Sequence, residues 1–334
     1  MTHVTRVLLT GWFSFLHGEV TAGDMLAADA VRDALRSASI PCDTAWSPVF
    51  RPDGLRLENT DPAAYTHLVF ACGPIHSRRP PGHEAGAPLC ELHRRFANCR
   101  RIAVGVSVID PADPAVTGFD VLLARDGAGQ SVSAPDLSLR APPPGAVPLL
   151  GVVLTEGQHE YGTRRRHGEV AQTVQEWLGG LDAARLPLDT RLDTRDWRLP
   201  ATPDQLHAVF SRLDAVVTTR LHGLVLALRA ETPVLAVDPV AGGAKVSAQA
   251  SALDWPMVLP SEDARPAELD RALAWCLTSQ GRERAREVAA RQARHATARS
   301  GGAELLADRP GGAGLLADLL RHLGHADAAA GREG

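Results

Sequence analysis

The chain has 334 residues, more than one hydrophobic core usually supports, so two domains of roughly 150 residues each are expected. Apolar residues make up 45%, charged residues make up 22%, and the net charge is -4, which gives no electrostatic basis for nucleic-acid binding. No apolar run approaches the roughly 18 residues of a membrane span, no signal peptide is indicated, and five cysteines without CxxC spacing are typical of reduced thiols in the cytoplasm.

Strand and helix patterns alternate along the first half of the chain. RVLLTGWFSF (6–15) is an apolar run that ends in a glycine turn, and AGDMLAADAVRDALRSA (22–38) has the spacing of an amphipathic helix. The remaining patterns predict strands at 67–73, 101–109 and 119–126 and a helix at 88–99. Because strands that alternate with helices form parallel sheets covered on both faces, this half predicts a doubly wound domain.

The proline-rich stretch LSLRAPPPGAVP (137–148) predicts an extended spacer, and we place the domain boundary there. The later patterns predict strands at 149–155, 214–219 and 232–238 and helices at 167–181, 203–213 and 223–230. The predicted units are residues 1–140, residues 141–300, and a helical or partly disordered tail at 301–334 that repeats GGAELLAD as GGAGLLAD. The predicted fold class is α/β, with two doubly wound (Rossmann-like) domains that face each other across a cleft.

Arg220 and His222 lie in the turn between a predicted strand and the next predicted helix, within VVTTRLHGLVLALRAETPVLAVDPVAGGAK. Ligands of parallel sheets bind just beyond the carboxyl ends of the strands, where the following helix points its N-terminus. Unpaired backbone N–H groups, with Thr218 or Thr219 as the N-cap, would add to the guanidinium and the imidazole. The turn therefore predicts an anion site suited to phosphate or carboxylate.

Lys245 is the only lysine of the chain and follows a predicted strand and a glycine-rich loop. That order predicts a second cation at the edge of the sheet that carries Arg220. Purely structural roles remain open for all three side chains: Arg220 caps a carbonyl or pairs with Asp214, His222 is a hydrogen-bonded core residue, and Lys245 is a chance surface residue.

These residues resemble the C-terminal signature of the polysaccharide pyruvyl transferase family, in which R-L-H opens a helix, an apolar strand follows, and a lysine-valine pair comes soon after. TAGDMLAADAV (21–31) is similar to the family's N-terminal Gly-Asp turn. LLARD (122–126), followed by APDLSL, is similar to the family's Arg-Asp strand end and its downstream Pro-Asp segment. Where relatives often carry a glycine-rich turn after the third strand, this chain has ACGPIHSRRP, so Pro74 and Ile75 stiffen and fill that loop.

The resemblance implies a fold like that of the two-domain (GT-B) glycosyltransferases and transfer of pyruvate from phosphoenolpyruvate to a sugar as a ketal, without a cofactor or a metal. It implies that Arg220 and Lys245 hold the donor, with Arg125 as a weaker candidate for the same pocket, and that His222 donates the proton. On the acceptor side, Asp24 is expected to accept a hydrogen bond from a hydroxyl or to act as a base; helix capping is the structural alternative. The predicted substrate-binding set also includes Leu221, Gly23 and Gly73.

Two other functions remain open: a glycosyltransferase that uses a nucleotide sugar, and an inactive binding relative of the family. The expected partners are a small anionic donor and a sugar or glycoconjugate acceptor, and a homo-oligomer is compatible with the sequence. Cys72 ends an apolar strand and is expected to be a buried, inert thiol rather than a nucleophile. The run RRRH (164–167) predicts a solvated helix start, with steering of anionic substrates as the alternative, and the scattered histidines show no metal-ligand spacing.

Overall fold

The computed structural model describes residues 5–16, 18, 20–78, 87–128, 132–155, 157, 159–297 and 319. The chain divides into two compact units, Met1–Gly145 and Ala146–Gly334, and the division lies within the proline-rich stretch 137–148. Each unit has a sheet of parallel strands with helices packed on it, which confirms the predicted α/β class. The repeated motif of the predicted tail lies outside the described residues.

The first unit alternates strands and helices from its first described residues. Its elements are β1 (Val7–Thr10), α1 (Ala22–Ser37), β2 (Cys42–Thr44), β3 (His67–Ala71), β4 (Pro74–Ile75), α2 (Pro88–Arg95), β5 (Arg100–Val108), α3 (Pro114–Thr117) and β6 (Val121–Gly127). The strand order is β2-β1-β3-β5-β4, with β6 also paired to β5, and every pairing is parallel.

Both faces of the first sheet are covered, because side chains alternate between faces along each strand. Val7 and Leu9 of β1 share a buried cluster with Ala28 of α1. The intervening Leu8 belongs to a different buried cluster, which contains Leu89 of α2. The helix before β3 in the chain, α1, and the helix after it, α2, therefore lie on opposite faces of the sheet, which is the doubly wound arrangement.

The second unit repeats this architecture. Its elements are β7 (Leu149–Val153), α4 (His167–Gly179), β8 (Ala184–Pro187), α5 (Pro203–Phe210), β9 (Ala215–Thr218), α6 (Leu221–Arg229), β10 (Val234–Asp238), α7 (Lys245–Ala252), β11 (Val258–Pro260), α8 (Pro266–Cys276) and α9 (Ser279–Thr297). The parallel strand order is β11-β10-β9-β7-β8. Every residue of β9 and β10 is buried, so both faces of the central strands are covered. Among the described residues, no helix has the length and apolar character of a membrane span.

Candidate anion-binding site

The turn from β9 to α6 is built by contacts between Thr218 and the residues that follow it. Arg220 occupies the N-cap with an extended backbone (φ -115°, ψ 134°), and its N–H donates to Oγ1 of Thr218 at 2.9 Å. The predicted threonine N-cap is therefore wrong, because Thr218 bonds the backbone of Arg220 and no side chain caps the helix. A Cβ at Gly223 would lie 2.1 Å from Oγ1 of Thr218, so only glycine lets the first turn of α6 pack this closely on the strand end.

Arg220 is held by a carboxylate that sequence reasoning missed. Nη1 of Arg220 lies 2.7 Å from Oδ1 of Asp189, which follows β8. Asp189 also accepts hydrogen bonds from the backbone N–H and Nε of Arg191, at 2.9 and 2.6 Å. The expected alternative partner, Asp214, instead accepts a hydrogen bond from the N–H of Leu149 at 2.8 Å. Asp189 lies two residues before Arg191, a spacing at which an aspartate accepts a hydrogen bond from the backbone, but this local pattern does not indicate the contact with Arg220.

The charge state of Asp189 follows from these contacts. Burial alone would raise the pKa of Asp189, but the hydrogen bonds from Arg191 and the charge of Arg220 outweigh it and hold the pKa below its ordinary value. Asp189 is therefore ionised at neutral pH and orients the guanidinium of Arg220.

His222 and Leu221 open α6 directly after Arg220. Leu221 is half-buried, whereas His222 is exposed. The alternative of a satisfied core histidine is therefore wrong, because position 222 faces solvent in the first turn of an amphipathic helix. The exposed imidazole is accessible to a ligand bound beside the helix N-terminus.

Lys245 is positioned by a loop organised around Asp238. The fully buried carboxylate of Asp238 accepts hydrogen bonds from the backbone N–H groups of Val240, Ala244 and Ser247, at 3.1, 2.7 and 2.8 Å. The two glycines of the loop, at 242 and 243, adopt φ values of 76° and 78°, the left-handed region in which glycine is favoured. The loop therefore places Lys245 at the first position of α7.

The ammonium group of Lys245 has no carboxylate partner among the described residues. Lys245 as a residue is half-buried, and its Nζ lies 5.9 Å from the ring centroid of Tyr161. A lysine held over an aromatic ring without an acidic partner leaves its hydrogen-bond donors available to an anion.

The segments that follow β7, β9 and β10 meet at one edge of the second sheet, because the three strands are adjacent and parallel. The N–H of Thr155 donates to Oγ1 of Thr219 at 2.9 Å, which joins the first two segments. The N–H of Arg166 donates to the carbonyl of Pro239, and the N–H of Ala241 donates to the carbonyl of Arg164, both at 2.9 Å. The turn that carries Arg220 and the loop before Lys245 thus share this edge.

Asp24 has a defined structural role in the first unit. Its Oδ2 accepts hydrogen bonds from the N–H and Oγ1 of Thr21, at 2.9 and 2.8 Å, and its own N–H donates to Oγ1 of Thr21 at 3.2 Å. This capping box begins α1, and the neighbouring Gly23 lies within the same first turn. Helix capping, the structural alternative for Asp24, is therefore present in the structure.

Arg125 is engaged by two carboxylates of its own unit. Its Nε lies 2.7 Å from Oδ2 of Asp126, Nη1 pairs with Asp136, and Nη2 donates to Oγ of Ser107 at 2.8 Å. These partners, of which Asp126 contributes most, raise the pKa of Arg125. Arg125 therefore belongs to a hydrogen-bonded network of the first unit.

Cys72 and Gly73 form a tight turn after β3. Both have left-handed backbones, with φ 64° at Cys72 and 73° at Gly73. A Cβ at Gly73 would lie 2.5 Å from Cδ1 of Trp12, so the turn leaves no space for a side chain there. Burial raises the pKa of the Cys72 thiol to about 12, with the negative charges of Asp136 and Asp24 adding to the effect. Cys72 is buried, as predicted.

These observations define the class: an α/β protein of two parallel-sheet units, the second of which carries a cationic strand-helix turn. Residues 181–239 match the sequence model of the polysaccharide pyruvyl transferase family, which confirms the resemblance over this segment. The matched segment includes Asp189, Arg220 and His222 and ends before Lys245. No curated protein matches the chain.

Several solved glycosyltransferase structures are similar to the chain at low identity. The glycotransferase of kitacinnamycin is 12% identical, with 95% of this chain and 98% of that chain covered and a TM-score of 0.32. The glycosyltransferase SnogD from Streptomyces nogalater is 14% identical, with 86% and 95% covered and a TM-score of 0.28. The E. coli heptosyltransferase WaaC with ADP is 10% identical, with 81% and 100% covered and a TM-score of 0.26.

Proposed function

We propose that the protein transfers pyruvate from phosphoenolpyruvate to two hydroxyl groups of a sugar-containing acceptor, forming a ketal and releasing phosphate. The observation that carries the proposal is the family match over residues 181–239, which includes the turn where Arg220 and His222 open α6. The chemistry of this turn supports the proposal, because it offers cationic and polar donors to a small, highly charged anion.

The donor is bound by Arg220 and Lys245. Phosphoenolpyruvate carries a phosphate and a carboxylate, and each accepts charge-assisted hydrogen bonds from a guanidinium or an ammonium. Asp189 holds one edge of the Arg220 guanidinium, which fixes the direction in which its remaining N–H groups point. The N-terminus of α6, which begins at Leu221, adds unpaired backbone N–H groups and a positive dipole end.

His222 donates the proton that starts the reaction. Protonation of the methylene carbon of phosphoenolpyruvate creates an oxocarbenium-like centre at the neighbouring carbon, and one acceptor hydroxyl adds there and loses its proton. The bond to the phosphate oxygen then breaks, and the second hydroxyl adds in its place with loss of a second proton. An exposed histidine suits this role, because imidazole is the side chain that most often acts as a general acid and its proton is replaced from solvent.

The first unit supplies the acceptor-side residues. Asp24 accepts a hydrogen bond from an acceptor hydroxyl or removes its proton, and its charge acts on the Cys72 thiol, as does that of Arg125. The strain of a non-glycine residue at a φ of 64° supports a functional use of the Cys72-Gly73 turn.

The experiment that tests the function incubates the full chain with phosphoenolpyruvate and a panel of sugars, and measures phosphate release and the mass of each product. We expect acceptor-dependent release together with a product that carries a pyruvate ketal. The same measurement on Arg220→Ala tests the donor site. Arg229→Ala is the matched control for that variant, because Arg229 is an exposed arginine at the other end of α6. Failure of the protein to bind phosphoenolpyruvate, with turnover of a nucleotide sugar in a parallel assay, would establish the glycosyltransferase alternative.

A further inference from the structure

His167 is a buried histidine whose ring has no hydrogen-bond partner. It is 2% exposed, and neither Nδ1 nor Nε2 contacts a donor or an acceptor among the described residues. Burying polar atoms without partners is energetically unfavourable, so native proteins retain few such groups and each calls for an explanation. His93 is the useful contrast: it is also buried, but its Nε2 bonds the carbonyl of Ala115 at 2.9 Å.

The surroundings of His167 are charged and belong to the edge that carries Lys245. The ring of Tyr161 stacks on His167 at 6.4 Å between centroids and also lies beneath the ammonium of Lys245. The charged groups that act on the imidazole are Arg165, Lys245, Asp238 and Glu160. The carboxylate of Asp238 is already engaged by backbone N–H groups, so the cations of this group retain the capacity to bind an anion.

The backbone adds further donors at this place. His167 is the first residue of α4, a helix whose N-cap, Arg166, provides no side-chain cap. The first N–H groups of such a helix lack intrahelical partners, and the helix dipole favours negative charge there. Antiparallel pairing of Arg165 with Val240 holds this helix start against the loop that precedes Lys245.

We propose that His167 and Lys245 together bind one oxyanion group, a phosphate or a carboxylate, at the N-terminus of α4. The inference rests on the proposed function, because it assigns an additional group to the donor site that contains Lys245. The imidazole donates an N–H to the anion, and the ammonium provides the charge. The Tyr161 ring, carried on the 3-10 segment His159–Arg164, lies against both groups, so this binding mode requires its displacement by the ligand. Gly162 interrupts the helical path of that segment (φ 52°, ψ -128°), so the chain already bends there.

The protonation state of His167 suits hydrogen-bond donation rather than acid catalysis. Burial lowers its pKa, the positive charges of Arg165 and Lys245 lower it further, and Asp238 and Glu160 oppose the shift. The imidazole is therefore neutral at pH 7 and carries a single N–H. A bound anion favours the protonated ring, so binding of the anion is expected to tighten as the pH falls below about 7.

The test compares His167→Leu with the wild-type full chain, using calorimetric titration with inorganic phosphate, pyruvate and phosphoenolpyruvate and a thermal melt on the same preparation. We expect affinity for phosphoenolpyruvate to fall about tenfold or more, with an unchanged or higher melting temperature, because leucine removes two unpaired buried polar atoms. A parallel loss of phosphate affinity assigns the site to the phosphate, and a loss of pyruvate affinity assigns it to the carboxylate. His207→Leu, at an exposed position of α5, is the matched control and is expected to change neither measurement.

Unchanged affinity for all three ligands in a folded His167→Leu protein would overturn the inference, as would failure of the wild-type protein to bind any of them. Should the leucine variant not fold, the ring nitrogens of wild-type His167 are observed by NMR during phosphoenolpyruvate titration, with assignment from a His167→Gln spectrum. Ring resonances that do not move at saturating ligand would also overturn it. The binding assay needs no acceptor, so its result is separate from that of ketal formation.

Discussion

Nη1 of Arg220 lies 2.7 Å from Oδ1 of Asp189, so the arginine expected to bind a donor anion is held by an acidic residue that follows another strand of the same sheet. The contact restrains a long side chain and leaves the rest of its guanidinium for a ligand. A mutation at either residue therefore also removes a partner of the other.

Asp189→Ala is expected to raise the KM for phosphoenolpyruvate about tenfold while kcat changes less, because the variant loses the orientation of Arg220 and keeps its charge. Asp189→Asn retains a hydrogen-bond acceptor of the same size and should restore most of the affinity. Steady-state kinetics on both variants checks this. A positioning role is excluded if alanine and asparagine have equal effects.

Arg220→Ala is expected to weaken binding of phosphoenolpyruvate by about tenfold or more and to leave the melting temperature nearly unchanged. A lost charge-assisted contact to an anion costs on the order of 2 kcal/mol, whereas a partly exposed turn residue contributes little core burial. Calorimetry and a thermal melt measure the two effects, and Arg229→Ala provides the control. Normal affinity in a folded Arg220→Ala protein would reject the donor-binding role.

His222→Gln is expected to bind phosphoenolpyruvate normally and to turn over roughly a hundredfold more slowly, because glutamine hydrogen bonds but does not donate a proton at neutral pH. Folding should be unaffected, since His222 is exposed. His207→Gln, on the exposed face of α5, is the matched control. Turnover of His222→Gln near the wild-type rate would assign the proton to another group.

Asp24→Asn is expected to leave donor affinity intact and to reduce acceptor-dependent phosphate release. Asparagine also caps helices, so loss of the capping box alone predicts only a small change in melting temperature. Thr21→Ala is the structural control, because it removes the hydroxyl partner of Asp24 and keeps the carboxylate, at a cost of about 1 kcal/mol. Full acceptor-dependent activity in Asp24→Asn would show that the residue serves only the helix.

Stability is expected to fall as the pH drops below about 6.5, because two buried histidines resist protonation in the native protein. Burial lowers the pKa values of His93 and His167, so below the ordinary value of about 6.5 the unfolded chain takes up protons that the native protein does not. The contribution of these two histidines to the free energy of unfolding is therefore complete above about pH 6.5 and decreases as the pH drops. Urea unfolding across this range measures the effect, and His167→Leu should show a shallower dependence. An identical dependence in the variant would exclude His167 as a contributor.

Sequence alone was sufficient for the α/β class and for the strand-turn-helix that carries Arg220 and His222. The reason is that β9 and β10 are buried on both faces, which requires continuous apolar runs, and the polar turn between two such elements stands out. It was not sufficient for the short edge strands β2, β8 and β11, which lack buried residues and therefore lack an apolar pattern.

Only the tertiary structure decided which charged side chains pair. Asp189 and Asp214 are both aspartates beside strands, and nothing in their local sequences shows that the first reaches Arg220 and the second reaches the N–H of Leu149. The burial of His167 was also not evident from the sequence, because the run of arginines before it predicts a solvated helix start. Packing of the segment after β7 against the loop after β10 buries it. Composition and periodicity record which residues prefer water, but ion pairs and buried polar groups depend on contacts between residues distant in the chain, which only the fold brings together.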